Sequence, residues 1–111
     1  MARQVLFIGY EEPYKGELKD FTSEHHGSAH FADNLQRSIR IMDEHAIDLV
    51  VLNLRSLEDA GMLRYINKYH PKVRVVVHAS REFDEFIRVV SHGHYEVLHQ
   101  PIRLEELKEV I

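Results

Sequence analysis

This chain of 111 residues predicts an α/β domain, a doubly wound parallel five-stranded sheet with helices on both faces. Three observations carry that reading. The run Asp48-Leu49-Val50-Val51-Leu52-Asn53-Leu54-Arg55 is continuously apolar inside charged flanks, as a strand covered on both faces is. Runs of this kind alternate with amphipathic stretches along the chain, the pattern of right-handed βα crossovers. The length suits one core and no second domain, with about two thirds of the unfolded chain's surface buried on folding.

Each element has its own warrant. Val5-Leu6-Phe7-Ile8 before Gly9 reads as a first buried strand ending in a turn. Over 13–23, Tyr14, Leu18 and Phe21 recur at i, i+4 and i+7, which predicts a short helix that Gly16 weakens. After His26-Gly27, residues 28–32 read as an edge strand. Asp33 with Gln36 resembles a capping box, and Leu35, Ile39 and Met42 would be the inner face of the next helix. The central run follows. Beyond a polar loop, Met62, Leu63, Ile66 and Tyr69 form a helical stripe stopped by His70-Pro71. Residues 73–77 give a fourth strand. Ser80 is suited to N-cap a helix with the stripe Phe83, Phe86, Ile87 and Val90, and Gly93 stands where a left-handed C-terminal residue belongs. Residues 95–98 form the last strand, and Pro101 precedes a helix with Leu104, Leu107 and Ile111 inward.

Composition narrows the function. Hydrophobic residues at 44% and charged residues at 29% are those of a soluble globular domain. A formal charge of -4 argues against general affinity for nucleic acid or anionic membranes. With no cysteine there is no disulfide, thiolate metal site or thiol nucleophile, which fits a cytoplasmic protein. No run approaches the ~20 apolar residues of a membrane span. The histidines His25, His26, His30, His92 and His94 lack the spacing of a metal site and read as mostly solvated side chains, whereas His99, like His78, falls at the carboxyl end of a strand. The Glu105, Glu106 and Glu109 run reads as a solvated helix face.

In open α/β sheets ligands sit beyond the carboxyl ends of the strands, which places Asn53 where chemistry would occur. From Val5 onward the chain resembles the receiver domain of bacterial two-component response regulators. The resemblance rests on Ile47-Asp48-Leu49-Val50-Val51-Leu52-x-Leu54-Arg55, on Gly61, and on Gln100-Pro101-Ile102-Arg103-Leu104-Glu105-Glu106-Leu107. It implies the flavodoxin-like (βα)5 fold with strand order 2-1-3-4-5. A receiver's site uses two acidic residues after the first strand and an aspartate after the third to hold Mg²⁺ beside the phosphoacceptor. A hydroxyl after the fourth strand and a lysine after the fifth neutralise the phosphoryl oxygens. On this sequence the acidic pair falls on Gly9 and Tyr10, the phosphoacceptor on Asn53, the hydroxyl on His78 and the lysine on Gln100. The aromatic switch position falls on Val97. Glu11 and Glu12 are the nearest acids, and nothing replaces the aspartate or the lysine.

The resemblance therefore implies a degenerate receiver that is not an enzyme and needs no metal or cofactor. It would act as a protein-interaction or dimerisation module in a two-component or transcriptional regulator. Neutral Asn53, His78 and Gln100 are expected to hydrogen-bond one another without an ion. Tyr10 is expected to plug the vacated space with its hydroxyl toward solvent or Gln100. The alternative is an atypical receiver with phosphoryl transfer, or small-ligand or metal sensing through His78 and His99. Receivers commonly associate through the fourth helix, fifth strand and fifth helix. Here that implies a patch of Val89, Tyr95 and Val110 ringed by Arg88, Glu96, Arg103 and Glu106 as the surface for a protein partner or a second copy. The final helix stops on Val110 and Ile111 without a polar turn, which predicts a domain cut from a longer signalling protein.

Overall fold

The computed structural model describes residues 3–111. Strands and helices alternate as β1 (Gln4–Ile8), α1 (Tyr14–Glu24), β2 (Ser28–Ala32), α2 (Leu35–Glu44), β3 (Leu49–Asn53), α3 (Ala60–Tyr69), β4 (Arg74–Ala79), α4 (Asp84–Ser91), β5 (Glu96–His99) and α5 (Leu104–Val110). All strand pairs are parallel, in the order β2-β1-β3-β4-β5. Fold class and strand order are those the sequence predicts.

The pleat explains why consecutive apolar residues are needed in the central strands. Leu6, Ile8, Val50, Leu52, Val75 and Val77 point to one face, where Ile41, Met42, Leu63, Ile66 and Ile87 of α2, α3 and α4 cover them. Val5, Phe7, Leu49, Val51 and Val76 point to the other, against Leu18 of α1 and Leu107 of α5. Each such side chain contributes about 1.5–3 kcal/mol on full burial. β3 is buried along its whole length, so its end carries Asn53 to a fixed place.

Several local expectations are corrected. Asn34, not Asp33, caps α2, its side chain accepting from the Arg37 backbone N–H at 2.9 Å. The buried residues of the helix are Ser38, Ile41 and Met42, and Leu35, in its first turn, is left exposed. Tyr69, expected inside, is also exposed, because α3 ends there against Tyr65 rather than against the sheet. The helix expected after Ser80 starts late. Residues Arg81–Phe83 form a 3₁₀ turn, and the Ser80 hydroxyl donates to Glu82 instead of capping a backbone N–H. At its other end the left-handed C-cap is His92, with Gly93 following at φ +80°. β4 runs through His78 and Ala79, and β5 begins after Tyr95.

Candidate functional site

At the carboxyl edge of the sheet, β1, β3, β4 and β5 deliver Gly9, Asn53, His78 and Gln100. Asn53 lies beside His78 in the sheet register. Its Nδ2 donates to the Gly9 carbonyl at 3.0 Å, and its Oδ1 accepts from Gln100 Nε2 at 2.8 Å. The amide is thus used at both ends. Three strands are tied together by neutral groups, with no buried carboxylate in the chain of bonds.

Gly9 is needed where it stands. Its φ is +82°, and an added Cβ would lie 3.1 Å from Arg55 Nε and Cζ and from the Asn53 carbonyl oxygen. That turn directs Tyr10 inward. The Tyr10 ring is 3% exposed and meets Phe7 edge-on at 6.2 Å between centroids. Its hydroxyl lies 2.7 Å from Nδ1 of His78, itself 1% exposed. Burial pushes the Tyr10 phenol well above its usual range, so it keeps its proton. His78 Nδ1 is its hydrogen-bond partner among the described residues, so Tyr10 O–H donates to Nδ1 and the imidazole proton sits on Nε2. Burial lowers the His78 pKa, partly opposed by the negative charge of Glu106, and the ring is held neutral.

The expected single network is therefore two. Asn53 and Gln100 bond each other as anticipated, whereas His78 turns to Tyr10, and the Tyr10 hydroxyl reaches neither solvent nor Gln100. Gln100 lies beyond β5 on an exposed loop, while the sharp turn at Gly9 sends Tyr10 beneath it into the core. Glu11 and Glu12 remain exposed at the rim. His99 is drawn away from the site, Nε2 lying 2.9 Å from Asp84 Oδ1 at the start of α4.

Arg55 is the site residue that sequence reasoning missed as such. Its guanidinium lies over Gly9, donates to the Asp33 carbonyl at 3.1 Å and pairs with Asp59 at 3.3 Å. Asp59 also accepts from the Arg55 and Ser56 backbone N–H groups at 2.8 and 3.1 Å. A charged residue two positions past a buried strand was the available signal. The side chains present do not suit Mg²⁺. The Asn53 oxygen is engaged, the acids are at the rim, and a cation already covers Gly9. Among the described residues no group of His, Cys, Asp and Glu is disposed to hold a metal ion.

No family model matches this sequence, and no curated protein sequence does. Solved structures do. A two-component response regulator from Clostridium difficile superposes with a TM-score of 0.78 at 21% identity, covering 97% of this chain and 91% of that one. This chain has the receiver fold. The signal receiver domain of an HD domain-containing protein from Pseudomonas fluorescens Pf-5 gives 0.77 at 17% identity, over 96% and 89% of the two chains. The receiver domain of Saccharomyces cerevisiae Ssk1, solved with the histidine phosphotransfer protein Ypd1, gives 0.75 at 21%, over 99% and 86%.

In this receiver fold the residues anticipated on the α4, β5 and α5 face are less continuous than a single patch. Val89 is exposed, and Arg88 beside it pairs with Glu85. Tyr95 and Val97 are half-buried in the layer of α3 and α4, where the Tyr95 hydroxyl donates to the Leu63 carbonyl at 3.3 Å. Val110 packs in the opposite layer. Between them Glu96 accepts from Arg74 Nε at 2.7 Å, and Arg103 stands at the N-cap of α5. Burial raises the Tyr95 phenol pKa, so its hydroxyl remains a donor. Among the described residues no helix is long and apolar enough to cross a membrane.

Proposed function

We propose that this chain is a receiver-fold interaction module of a signalling protein that works without a phosphorylation cycle. The observation that carries this reading is the closed chain of bonds from Gly9 through Asn53 to Gln100, complete without metal or phosphoryl group. A conventional receiver responds because crowded carboxylates are relieved by ion and phosphoryl binding. Here Asn53 occupies the phosphoacceptor position as an amide, which is not a usable nucleophile toward phosphate. The Tyr10–His78 bond fills the space beneath it, and Arg55 supplies a resident positive charge above. The pocket is held in one arrangement, and a protein partner reads a constant surface. Partner capture or self-association would use the α4, β5 and α5 face around Arg88, Val89 and Glu96, within a larger cytoplasmic regulator. The Ssk1 receiver domain, of the same fold, has been solved with a protein partner.

Three measurements test this. Beryllofluoride with Mg²⁺ is expected to leave the backbone NMR signals of Gly9, Asn53, His78 and Gln100 unmoved, and incubation with acetyl phosphate is expected to add no mass. Saturable shifts around Asn53, or a phosphoryl adduct, would sink the reading. Arg88→Glu combined with Val89→Asp is expected to abolish partner capture through the α4 face with the fold intact.

A further inference from the structure

The two outer strands of the sheet differ. β5 carries charge, with Glu96 accepting from Arg74 Nε at 2.7 Å and His99 Nε2 lying 2.9 Å from Asp84 Oδ1. β2, Ser28-Ala29-His30-Phe31-Ala32, has β1 as its one neighbour and contains no Lys, Arg, Asp, Glu or Pro. Its register with β1 is unbroken from Gln4↔Ser28 to Ile8↔Ala32, so there is no bulge. Charge, proline and bulges are the usual guards of an outer strand against pairing with another chain. β2 has none of them.

The groups it leaves free follow from two bonds. The Ser28 N–H donates to the Arg3 carbonyl at 2.7 Å, and the Ala32 carbonyl accepts from the Gly9 N–H at 2.9 Å. Bonding direction alternates along a strand. His30 therefore also faces β1, and the N–H and C=O groups of Ala29 and Phe31 point away from the sheet, without a partner among the described residues. The side chains are settled within the chain. His30 Nε2 lies 2.7 Å from Gln4 Oε1, and the His30 and His45 ring centroids are 4.3 Å apart. Phe31 stacks on Phe7 at 5.3 Å between centroids, with Lys15 Nζ 5.4 Å from its own. Burial, and then His45, lower the His30 pKa, so the strand is uncharged at neutral pH.

We infer that β2 is a self-association edge: β2 of a second copy pairs with it antiparallel, His30 opposite His30 on a two-fold axis, joining two sheets into one. In that register Ala29 of each copy stands opposite Phe31 of the other as a hydrogen-bonded pair. The two pairs use every outward N–H and C=O of these residues. A small side chain meets a ring in each pair, the imidazoles on the axis are neutral, and Asp33 falls opposite Gly27. No like charges are opposed, and this self-complementarity is why the occupant is a second copy. An isologous contact of this kind closes at two. An edge of five residues is shorter than the interfaces of about 1,200 Å² and more that hold stable complexes, so the pairing is transient and governed by concentration. It is independent of the pocket's inability to accept phosphate and uses neither the α4 nor the β5 surface.

The experiment is amide hydrogen exchange read by NMR on the purified chain from micromolar to millimolar concentration, with sedimentation alongside. The Ala29 and Phe31 amides are expected to exchange freely when dilute and to slow several-fold as concentration rises, while His30, bonded to β1 throughout, is unchanged. Average mass should saturate at two protomers. Ala29→Pro removes an outward donor at a position where an outer strand tolerates proline, and it should remain monomeric with the fold of wild type. Should that variant not fold, the alternation of exchange in wild type still decides. Arg88→Glu combined with Val89→Asp should dimerise as wild type does. A chain still monomeric at millimolar concentration, growth past two protomers, or a dimer in which Ala29 and Phe31 stay unprotected overturns the inference.

Discussion

Replacing Tyr10 by Phe removes one oxygen from the centre of the molecule and leaves the ring that fills the space. The aromatic contact with Phe7 and the burial of the ring are retained. What is lost is the donor to His78 Nδ1, 2.7 Å away on a side chain with almost no solvent access. An orphaned buried acceptor costs about 1–3 kcal/mol, more than the net worth of an average hydrogen bond. Against a total stability on the order of 5–15 kcal/mol that is a large fraction, and for a chain of this size it lowers the melting temperature by about 4 °C per kcal/mol. His78→Leu should cost a comparable amount by orphaning the Tyr10 hydroxyl. The double variant Tyr10→Phe, His78→Leu leaves no unmatched polar atom, and its loss should be well below the sum of the singles. Urea unfolding of the four proteins measures the cycle. Additive losses, or a Tyr10→Phe cost under about 0.5 kcal/mol, would show that the pair is not coupled in the way its geometry indicates.

Three further outcomes are expected. Burial depresses the pKa of folded His78, so its stabilising share is fully present above the unfolded value of about 6.5 and is lost as pH falls through the folded value. Within that window the slope is up to about 1.4 kcal/mol per pH unit. Unfolding curves from pH 7.5 downward should show it, and His78→Leu should flatten it, with His30, lowered by burial and by His45, supplying the remainder. Asn34→Ala should cost about 1 kcal/mol as the loss of an N-cap, whereas Asp33→Ala should be close to neutral; the reverse order would return the cap to Asp33. Gly9→Ala should lose about 1–2 kcal/mol to its left-handed backbone, and part of any excess should be recovered in Gly9→Ala, Arg55→Ala, since the guanidinium is what the new methyl meets.

The sequence by itself determined the architecture, because burial on both faces requires unbroken apolar strands and the crossover rules leave few ways to connect them. Val50 and Val51 point to opposite layers, and both had to be apolar. The positions of Gly9, Asn53, His78 and Gln100 followed from their standing at, or one residue either side of, the carboxyl ends of strands. Which of these groups bond each other was legible only in part. Asn53 and Gln100 were paired correctly, whereas the Tyr10–His78 bond depends on the left-handed turn at Gly9 sending a ring under the sheet edge. Periodicity also misjudged the ends of helices, since Leu35 and Tyr69 fit the inward stripe by spacing but project past the sheet that would cover them. Spacing along one helix gives the direction of a side chain, and only the neighbouring elements decide whether anything lies there. Arg55 shows the same limit, for no local pattern tells that a guanidinium will lie over Gly9 until the strands ending at Ile8 and Asn53 are side by side.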